Sequence, residues 1–387
     1  MFVQQRLDVS LKREDLQAVR SYKGRGAFNV LAMLDDSERS RGVTCASAGN
    51  HAQGVACARA NVYARVFLPR TTPRQKPDRV VALGAGWIDV VVVGGDTYDE
   101  AAAAASAHAT TTGVTVVAAF DDPRTIAGQG TVALEVVEQL AARGLSPAAV
   151  VVPVGGGGLI AGTLAVLAER LSSVRVVGAE PAGAASMAAA LAAGRPVDLD
   201  EVEPFVDGAA VRRVGDHTFA AVLSSGPALV AVPEGRVCVE MLTLYQSDGI
   251  IAEPAGALAT AALHLDLHLP PGATVVCVLS GGNNDVSRYA EVVERALVYE
   301  ELKHYFLVEF PQEPGALRRF LDEVLGPTDD ITLFEYIKRS NRETGPALVG
   351  IELQTPGDLA PLLVRLDASP VNAQIVPPES PIFRFMA

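Results

Sequence analysis

The chain has 387 residues with 45 acidic and 32 basic side chains, so its formal net charge at pH 7 is −13. This balance argues against a general nucleic-acid-binding protein, which needs clustered positive charge, and no nucleic-acid partner is expected. The length and a hydrophobic content of 49% predict two or three domains with substantial cores, and four widely spaced cysteines predict neither a disulfide framework nor a zinc module.

The N-terminal residues carry neither the basic head nor the apolar stretch of a signal peptide, which favours a cytoplasmic location. One uncharged stretch, residues 144–168, is long enough to span a bilayer. Pro147, Pro153 and the four glycines at 155–158 interrupt it, so we interpret it as a strand, a glycine loop and a helix. We therefore expect no membrane span and no membrane partner.

Short apolar strands alternate with helical patterns through the first 298 residues. Continuous apolar strands of this kind are typical of parallel sheets that are buried on both faces, so we predict an α/β fold. Ligands bind such sheets in the turns that follow the carboxyl ends of the strands. The predicted strands are 43–45, 64–68, 89–93, 114–118, 149–153, 174–179 and 274–279.

The pattern changes after Leu297. The remaining residues predict the order βαββαβ, which is the ferredoxin-like arrangement. We therefore predict a first domain over residues 1–298 and a second domain over residues 301–387. The predicted strands of the second domain are 305–310, 331–337, 348–353 and 373–376, and its helices are 316–325 and 358–366.

A lysine stands at the start of a predicted helix, in the sequence SYKGRGA. A single lysine is usually a solvated surface charge, but Lys23 lies between small residues, where burial would lower the pKa of its amine and free it to form a Schiff base. A second element, residues 45–54, joins a strand to a helix, whose N-terminal amides favour an anion such as a carboxylate. An ordinary helix cap is the alternative, and His51 in this element is expected to be a hydrogen-bonded structural histidine.

Two further elements follow predicted strands. Residues 155–158 are four consecutive glycines, which let backbone N–H groups converge on a phosphate at a helix N-terminus. The sequence is neither a dinucleotide fingerprint nor a Walker loop, and a flexible turn is the alternative. Ser280, in the sequence LSGGNND, is expected either to cap a helix or to bond a ring nitrogen.

Taken in chain order, these elements resemble the fold-type II pyridoxal-phosphate enzymes, and most closely the biosynthetic threonine dehydratases, or threonine ammonia-lyases. The segments that carry the resemblance are LKREDLQAVRSYKGRGAFN, CASAGNHAQGVA, PVGGGGLIAG, VDGAAV, IIAEPAGALA and LSGGNND. The resemblance covers nearly the whole chain. It implies two open, twisted parallel-sheet subdomains of the tryptophan synthase β type, with a small subdomain of about residues 25–125 inserted in the large one.

The resemblance also implies roles for particular residues. Lys23 would hold pyridoxal 5′-phosphate covalently and then remove the Cα proton of threonine as a base. Asn50 would bond the 3′-oxygen of the ring, Ser280 would face its nitrogen, and Ser47 with the neighbouring amides would bind the substrate carboxylate. The implied cofactor-binding residues are Lys23, Asn50, Gly155, Gly156, Gly157, Gly158, Leu159 and Ser280, and the implied substrate-binding residues are Ser47, Gly49, His51, Gly208 and Glu253.

The implied reaction is the dehydration and deamination of L-threonine to 2-oxobutanoate and ammonia, the first step of isoleucine biosynthesis. Racemases of this family carry Ser at the position of Ala48 as a second base, so we expect negligible serine racemisation. Two alternatives stay open. One is another reaction of the same fold, such as serine deamination or a β-replacement, and the other is a catalytically silent amino-acid sensor.

A cation site and a regulatory module are also implied. The segment EPAGAAS matches a cation-binding turn, in which the carboxylate of Glu180 and the backbone at Ala184 would be ligands. A potassium-like monovalent ion, magnesium and no ion stay open, because Ser186 replaces the Asp found where divalent ions bind. The second domain resembles an ACT-like module, in which the turn at 313–317 would bind isoleucine, and an inert dimerisation domain is the alternative. Pairing of such modules implies a homodimer or homotetramer.

Overall fold

The computed structural model describes residues 7–47, 49–58, 61–336, 343–378 and 380. The chain divides into two compact units between Asp285 and Val286. The domain boundary predicted between residues 298 and 301 stays a prediction. In the structure, the helix Tyr289–Tyr299, which precedes that boundary, belongs to the second unit.

The first unit contains two sheets, in which every paired strand runs parallel to its neighbour. The larger sheet has the order β1-β9-β6-β7-β8, and the smaller one has the order β4-β3-β2-β5. The strands are β1 Asp8–Arg13, β2 Val43–Ala46, β3 Ala64–Leu68, β4 Ile88–Val92, β5 Thr115–Val116, β6 Ala149–Pro153, β7 Arg175–Pro181, β8 Ala228–Val232 and β9 Thr274–Leu279. The predicted α/β fold with two parallel sheets is confirmed.

Helices connect these strands. Those that pack on the sheets bury apolar side chains, as α7 does along nearly its whole length, and leave their polar side chains outside. The helices are α1 Lys23–Ala32, α2 Asp36–Arg41, α3 Asn50–Ala58, α4 Gln75–Gly84, α5 Tyr98–Thr112, α6 Pro123–Ala141, α7 Gly158–Arg170, α8 Ser186–Ala193, α9 Asp216–Ser225, α10 Glu234–Asp248 and α11 Pro254–Ala261.

Each sheet has its own hydrophobic core. The core of the larger sheet joins β6 and β9 to α6 and α7, with Val152 and Ile160 fully buried. The core of the smaller sheet joins β2 and β3 to α1 and α3, with Val30 and Val66 fully buried. Because α1 packs on both α3 and α6, the helix that begins at Lys23 lies between the two sheets.

The second unit is a four-stranded antiparallel sheet with the order β11-β12-β10-β13. Its strands are β10 Lys303–Pro311, β11 Asp330–Tyr336, β12 Thr344–Glu352 and β13 Asn372–Val376, and its helices are α12 Tyr289–Tyr299, α13 Ala316–Glu323 and α14 Leu359–Ala368. From β10 onward this is the predicted βαββαβ order, and the core contains Phe306, Phe320 and Leu362. The predicted strand end at 337 lies outside the described residues. Helix α12 is tied to β10 because Glu294 accepts hydrogen bonds from Lys303 and Tyr305.

Among the helices that the structure describes, none combines the length and the apolar character needed to cross a membrane.

Three of the four cysteines are buried, and Cys57 is exposed.

Candidate active site

A cavity of about 760 Å³ lies in the first unit, beside the turns that follow the carboxyl ends of β2 and β6. Most of the residues singled out from the sequence meet there. They are Lys23, Ser47, Gly49, Asn50, His51, Gly155, Gly156, Gly157, Gly158, Leu159, Gly208 and Glu253. The described residues that line the cavity do not include Ser280, Glu180 or Ala184.

Lys23 is the first residue of α1 and is partly exposed to the cavity. The backbone around it is fixed by the segment after β9, since the Tyr22 N–H donates to the Ser280 carbonyl at 3.1 Å and the Gly282 N–H donates to the Arg20 carbonyl at 2.8 Å. Burial lowers the pKa of the Lys23 amine, and the negative charge of Glu253 acts in the opposite direction. A lowered pKa increases the fraction of amine that is neutral and nucleophilic.

A partly buried ion-pair network fixes α1 two residues beyond this lysine. The guanidinium of Arg25 donates two hydrogen bonds to Glu14, at 2.7 and 2.8 Å, and two to Glu135, both at 2.7 Å. Lys12 also pairs with Glu135. The hydrogen bonds from Arg25 lower the pKa of Glu135 to about 2, so this carboxylate is ionised at neutral pH. The network joins α1 to β1 and α6 and thereby fixes the backbone that carries Lys23.

Asn50 and Glu253 form a polar pair on the cavity wall. The Asn50 amide donates to the two carboxylate oxygens of Glu253, at 2.7 and 3.0 Å, and its own oxygen accepts from Asn283 at 2.9 Å. Burial raises the pKa of Glu253 to about 7, with a smaller contribution from the charge of Asp207, while the hydrogen bond from Asn50 acts in the opposite direction. Asn283 accepts a 2.8 Å hydrogen bond from Arg79. It lies in the segment LSGGNND but was not predicted as a site residue.

The turn between β2 and α3 places Ser47, Gly49 and His51 on the cavity wall. The Ser47 hydroxyl oxygen accepts the Gly49 N–H at 3.1 Å, which orients the turn toward the start of the helix. His51 Nε2 lies 2.7 Å from the Val117 carbonyl, and burial lowers the pKa of His51 to about 4. A neutral ring must donate from Nε2 to that carbonyl, so His51 is a structural hydrogen-bonding residue.

The glycine loop lies between β6 and α7, where side chains would collide with their surroundings. A Cβ on Gly156 would lie 2.3 Å from the ring of Phe120, and a Cβ on Gly155 would lie 2.8 Å from the Cα of Ala209. Gly157 has a φ of +91°, which L side chains rarely adopt. The loop therefore leaves backbone at the start of α7 free of side chains, and the N-terminus of a helix favours an anion.

Ser280 is buried, and its hydroxyl donates to the Ala255 carbonyl at 3.2 Å. It joins the end of β9 to α11, next to the backbone that carries Lys23. Its predicted contact with a ring nitrogen stays a prediction.

The predicted cation ligand Glu180 has a different set of contacts in the structure. Its carboxylate accepts the backbone N–H groups of Met187 and Ala188, at 2.7 and 3.0 Å, and so caps the N-terminus of α8. Burial raises the pKa of Glu180 to about 7. In the described part of the chain, no three His, Cys, Asp or Glu side chains cluster as metal ligands.

The cavity wall also contains charged residues that were not predicted from the sequence. Asp207, next to the predicted Gly208, pairs with Lys76 at 3.5 Å. Arg213 pairs with Asp198 at 3.6 Å. None of the four lies at the end of an apolar strand, so the pattern used to find the other site residues gave no signal for them.

Two family models match the chain. The family described as "Pyridoxal-phosphate dependent enzyme" matches residues 3–281, and the family described as "C-terminal regulatory domain of Threonine dehydratase" matches residues 294–386. The two matches account for most of each compact unit.

Individual proteins give the same result. The biosynthetic L-threonine dehydratase of Mycobacterium tuberculosis is 60% identical over 98% of this chain and 88% of its own length, and that of Bacillus subtilis is 46% identical over 98% and 89%. Among solved structures, the processed form of threonine deaminase isoform 2 from Solanum lycopersicum matches with a TM-score of 0.71 and 39% identity, over 76% of this chain and 84% of that one. A maize serine racemase matches with a TM-score of 0.66 and 29% identity, over 75% and 88%.

Proposed function

Because the chain belongs to the biosynthetic threonine dehydratases, a branch of the pyridoxal-phosphate-dependent enzymes, we propose that it converts L-threonine to 2-oxobutanoate and ammonia. This is the first step of isoleucine biosynthesis. The observation that carries the proposal is that one cavity is lined both by Lys23, whose amine has a lowered pKa, and by the phosphate-binding glycine loop at 155–158.

The residues of the cavity fit pyridoxal phosphate. The glycine loop with Leu159 would hold the phosphate, Lys23 would hold the aldehyde carbon, and Asn50 would bond the 3′-oxygen. Ser280, which does not line the cavity, would face the ring nitrogen. When bound, the cofactor supplies an electron sink that makes the Cα proton of a bound amino acid acidic.

The protein residues then bind the substrate and move its protons. Ser47 and the amides of Gly49, Asn50 and His51, at the start of α3, would bind the carboxylate of threonine. The neutral amine of Lys23 would take the proton from Cα, since a lowered pKa increases the fraction of the amine that is unprotonated. Glu253, with Gly208 nearby on the wall, would hold the Asn50 amide in place.

The second unit would carry the regulation. It matches a regulatory domain, and we propose that it binds isoleucine at the turn between β10 and α13, where Gly315 has a φ of +87° and opens the helix. Feedback inhibition follows if isoleucine binds one state of the enzyme more tightly than another. We further propose a cytoplasmic homodimer or homotetramer, and a monovalent cation held by the remaining lone pairs of Glu180 with the Ala184 backbone.

The test measures the release of 2-oxoacid from L-threonine and from L-serine by the purified protein with pyridoxal phosphate. We expect turnover of threonine, its loss in Lys23→Ala, and inhibition by added isoleucine. Serine is the second candidate substrate, because a cavity that accepts threonine rejects an amino acid lacking one methyl group by only about 10- to 200-fold. A wild-type protein that binds the cofactor but turns over neither amino acid would contradict the proposal.

A further inference from the structure

Thr218 lies directly behind the glycine loop. It is the third residue of α9, its side chain is fully buried, and it is not among the described residues that line the cavity. Its hydroxyl donates to the carbonyl of Gly156 at 2.7 Å, and it lies 3.1 Å from the carbonyl of Gly215. A hydroxyl has one hydrogen, so the shorter contact is the main hydrogen bond.

This hydrogen bond determines the direction of the next N–H group. The peptide between Gly156 and Gly157 is planar and trans, so its carbonyl and its N–H point in opposite directions. The carbonyl points back to Thr218. The N–H of Gly157 must therefore point forward, to the side where Gly156 and Gly157 line the cavity.

The first turn of α9 is itself held by a tertiary contact. Both carboxylate oxygens of Asp121 accept backbone N–H groups, from Asp216, His217 and Thr218 at 2.9 to 3.2 Å. A Cβ at position 215 would lie 2.1 Å from the Asp121 carboxylate carbon, so glycine there permits this close approach. Thr218 is thus fixed behind the loop, and the loop cannot turn the Gly156 carbonyl away without breaking a buried hydrogen bond.

We propose that Thr218 is a positioning residue for the phosphate of the cofactor, acting through the Gly156 carbonyl to turn the Gly157 N–H toward the phosphate. The proposal rests on the proposed function, since the phosphate is that of pyridoxal phosphate. It predicts a specific signature. Loss of the hydroxyl weakens the binding of ligands that carry the phosphate and leaves the binding of ligands that lack it unchanged.

The experiment compares four cofactor-free proteins, titrated by absorbance with pyridoxal phosphate and, separately, with pyridoxal. They are the wild type, Thr218→Val, Thr218→Ser and the control Thr44→Val, which removes another buried hydroxyl that donates to a carbonyl, that of Arg65 at 2.9 Å. We expect the Kd for pyridoxal phosphate to rise about tenfold in Thr218→Val and to stay within about twofold in the other two variants. The Kd for pyridoxal should be the same in all four, and the phosphorus NMR resonance of the bound cofactor should shift only in Thr218→Val.

Three results would overturn the inference: equal weakening of both ligands in Thr218→Val, no weakening at all, or a Thr218→Ser protein as weak as the valine variant. If the valine variant does not fold, Thr218→Ala, which leaves room for a water, replaces it in the same comparison. A wild type that binds neither compound would instead overturn the proposed function, so the two failures are distinguishable.

Discussion

The side-chain amide of Asn50 donates to both carboxylate oxygens of Glu253, at 2.7 and 3.0 Å, although 203 residues separate the two in sequence. Asn50 begins α3, which packs on the smaller sheet, and Glu253 precedes α11, which packs on the larger one. The pair therefore joins the two halves of the first unit across the cavity, and it does so with a buried carboxyl whose pKa is raised to about 7.

This carboxyl predicts a pH dependence of stability in the cofactor-free protein. Between pH 4.5 and about 7, Glu253 holds a proton in the folded state that it has released in the unfolded chain, so its contribution to the free energy of unfolding falls as pH rises. Glu253→Gln removes this fall. The free energy of unfolding of the variant, minus that of the wild type, should rise between pH 4.5 and about 7, by at most about 3 kcal/mol.

Urea unfolding of both proteins at several pH values measures the difference between their free energies of unfolding. The difference is needed because Glu180 adds to the fall in the wild type, while His51, whose pKa is lowered, acts in the opposite direction between about pH 4 and 6.5. The surface control Glu169→Gln should change the free energy little. Parallel curves for Glu253→Gln and the wild type would contradict the prediction.

Substitution by alanine is predicted to cost much more at Arg25 than at Arg70. Both guanidinium groups bind a carboxylate through two hydrogen bonds, but Glu14 has no exposed side-chain surface, whereas Asp96 is half exposed. Arg25→Ala removes the two hydrogen bonds to the buried carboxylate of Glu14 and leaves it paired with Lys12 at 3.6 Å, so we expect a loss of about 3 kcal/mol. Arg70→Ala should shift the stability much less, because solvent screens an exposed ion pair. Urea midpoints of the two variants measure this, and equal shifts would show that burial does not set the cost.

Gly156→Ala should weaken cofactor binding. The added Cβ would lie 2.3 Å from the Phe120 ring, so either the ring or the loop must move. We expect a rise of about tenfold or more in the Kd for pyridoxal phosphate, since overpacking costs about 1 to 3 kcal/mol. Gly94→Ala is the matched control, because a Cβ at that exposed position meets no atom within 4 Å. Unchanged affinity in Gly156→Ala would show that the loop adapts.

Ala48 predicts the stereochemical outcome with serine. The residue lies outside the described residues, so the prediction rests on the sequence alone. Without a second base there, D-serine formation should be slower than serine deamination by about a hundredfold or more, and Ala48→Ser should increase it. Chiral chromatography of the reaction mixture measures both rates, and rapid D-serine formation by the wild type would contradict the prediction.

The seven strands predicted for the first domain are all present. The two strands of that domain that were missed, β1 and β8, are the edges of the larger sheet. Strand β1 has the sequence DVSLKR, whose charges serve the Arg25 network and exposed contacts, so it lacks the apolar run of a strand buried on both faces. Strand β8, ALVAV, is apolar, but periodicity alone does not separate a short apolar run from a piece of helix.

The site residues also differ in how far local sequence identifies them. Lys23 and Asn50 begin helices, and the glycine loop joins an apolar strand to a helix, so local sequence identifies all three. Asn283 and Thr218 matter through partners 233 and 62 residues away. Such contacts depend on how the chain folds back on itself, which local periodicity does not contain.

The pairing of β1 with β9 has a consequence for synthesis on the ribosome. These strands are adjacent in the larger sheet, yet residues 8–13 emerge first and residues 274–279 emerge last within the first unit. The smaller sheet, complete by Val116, can close much earlier. A nascent chain must therefore keep β1 unpaired with β9 until residues 274–279 have been made, and only then does the segment that holds the backbone of Lys23 arrive. The reactive lysine is among the last features of the catalytic unit to take its place.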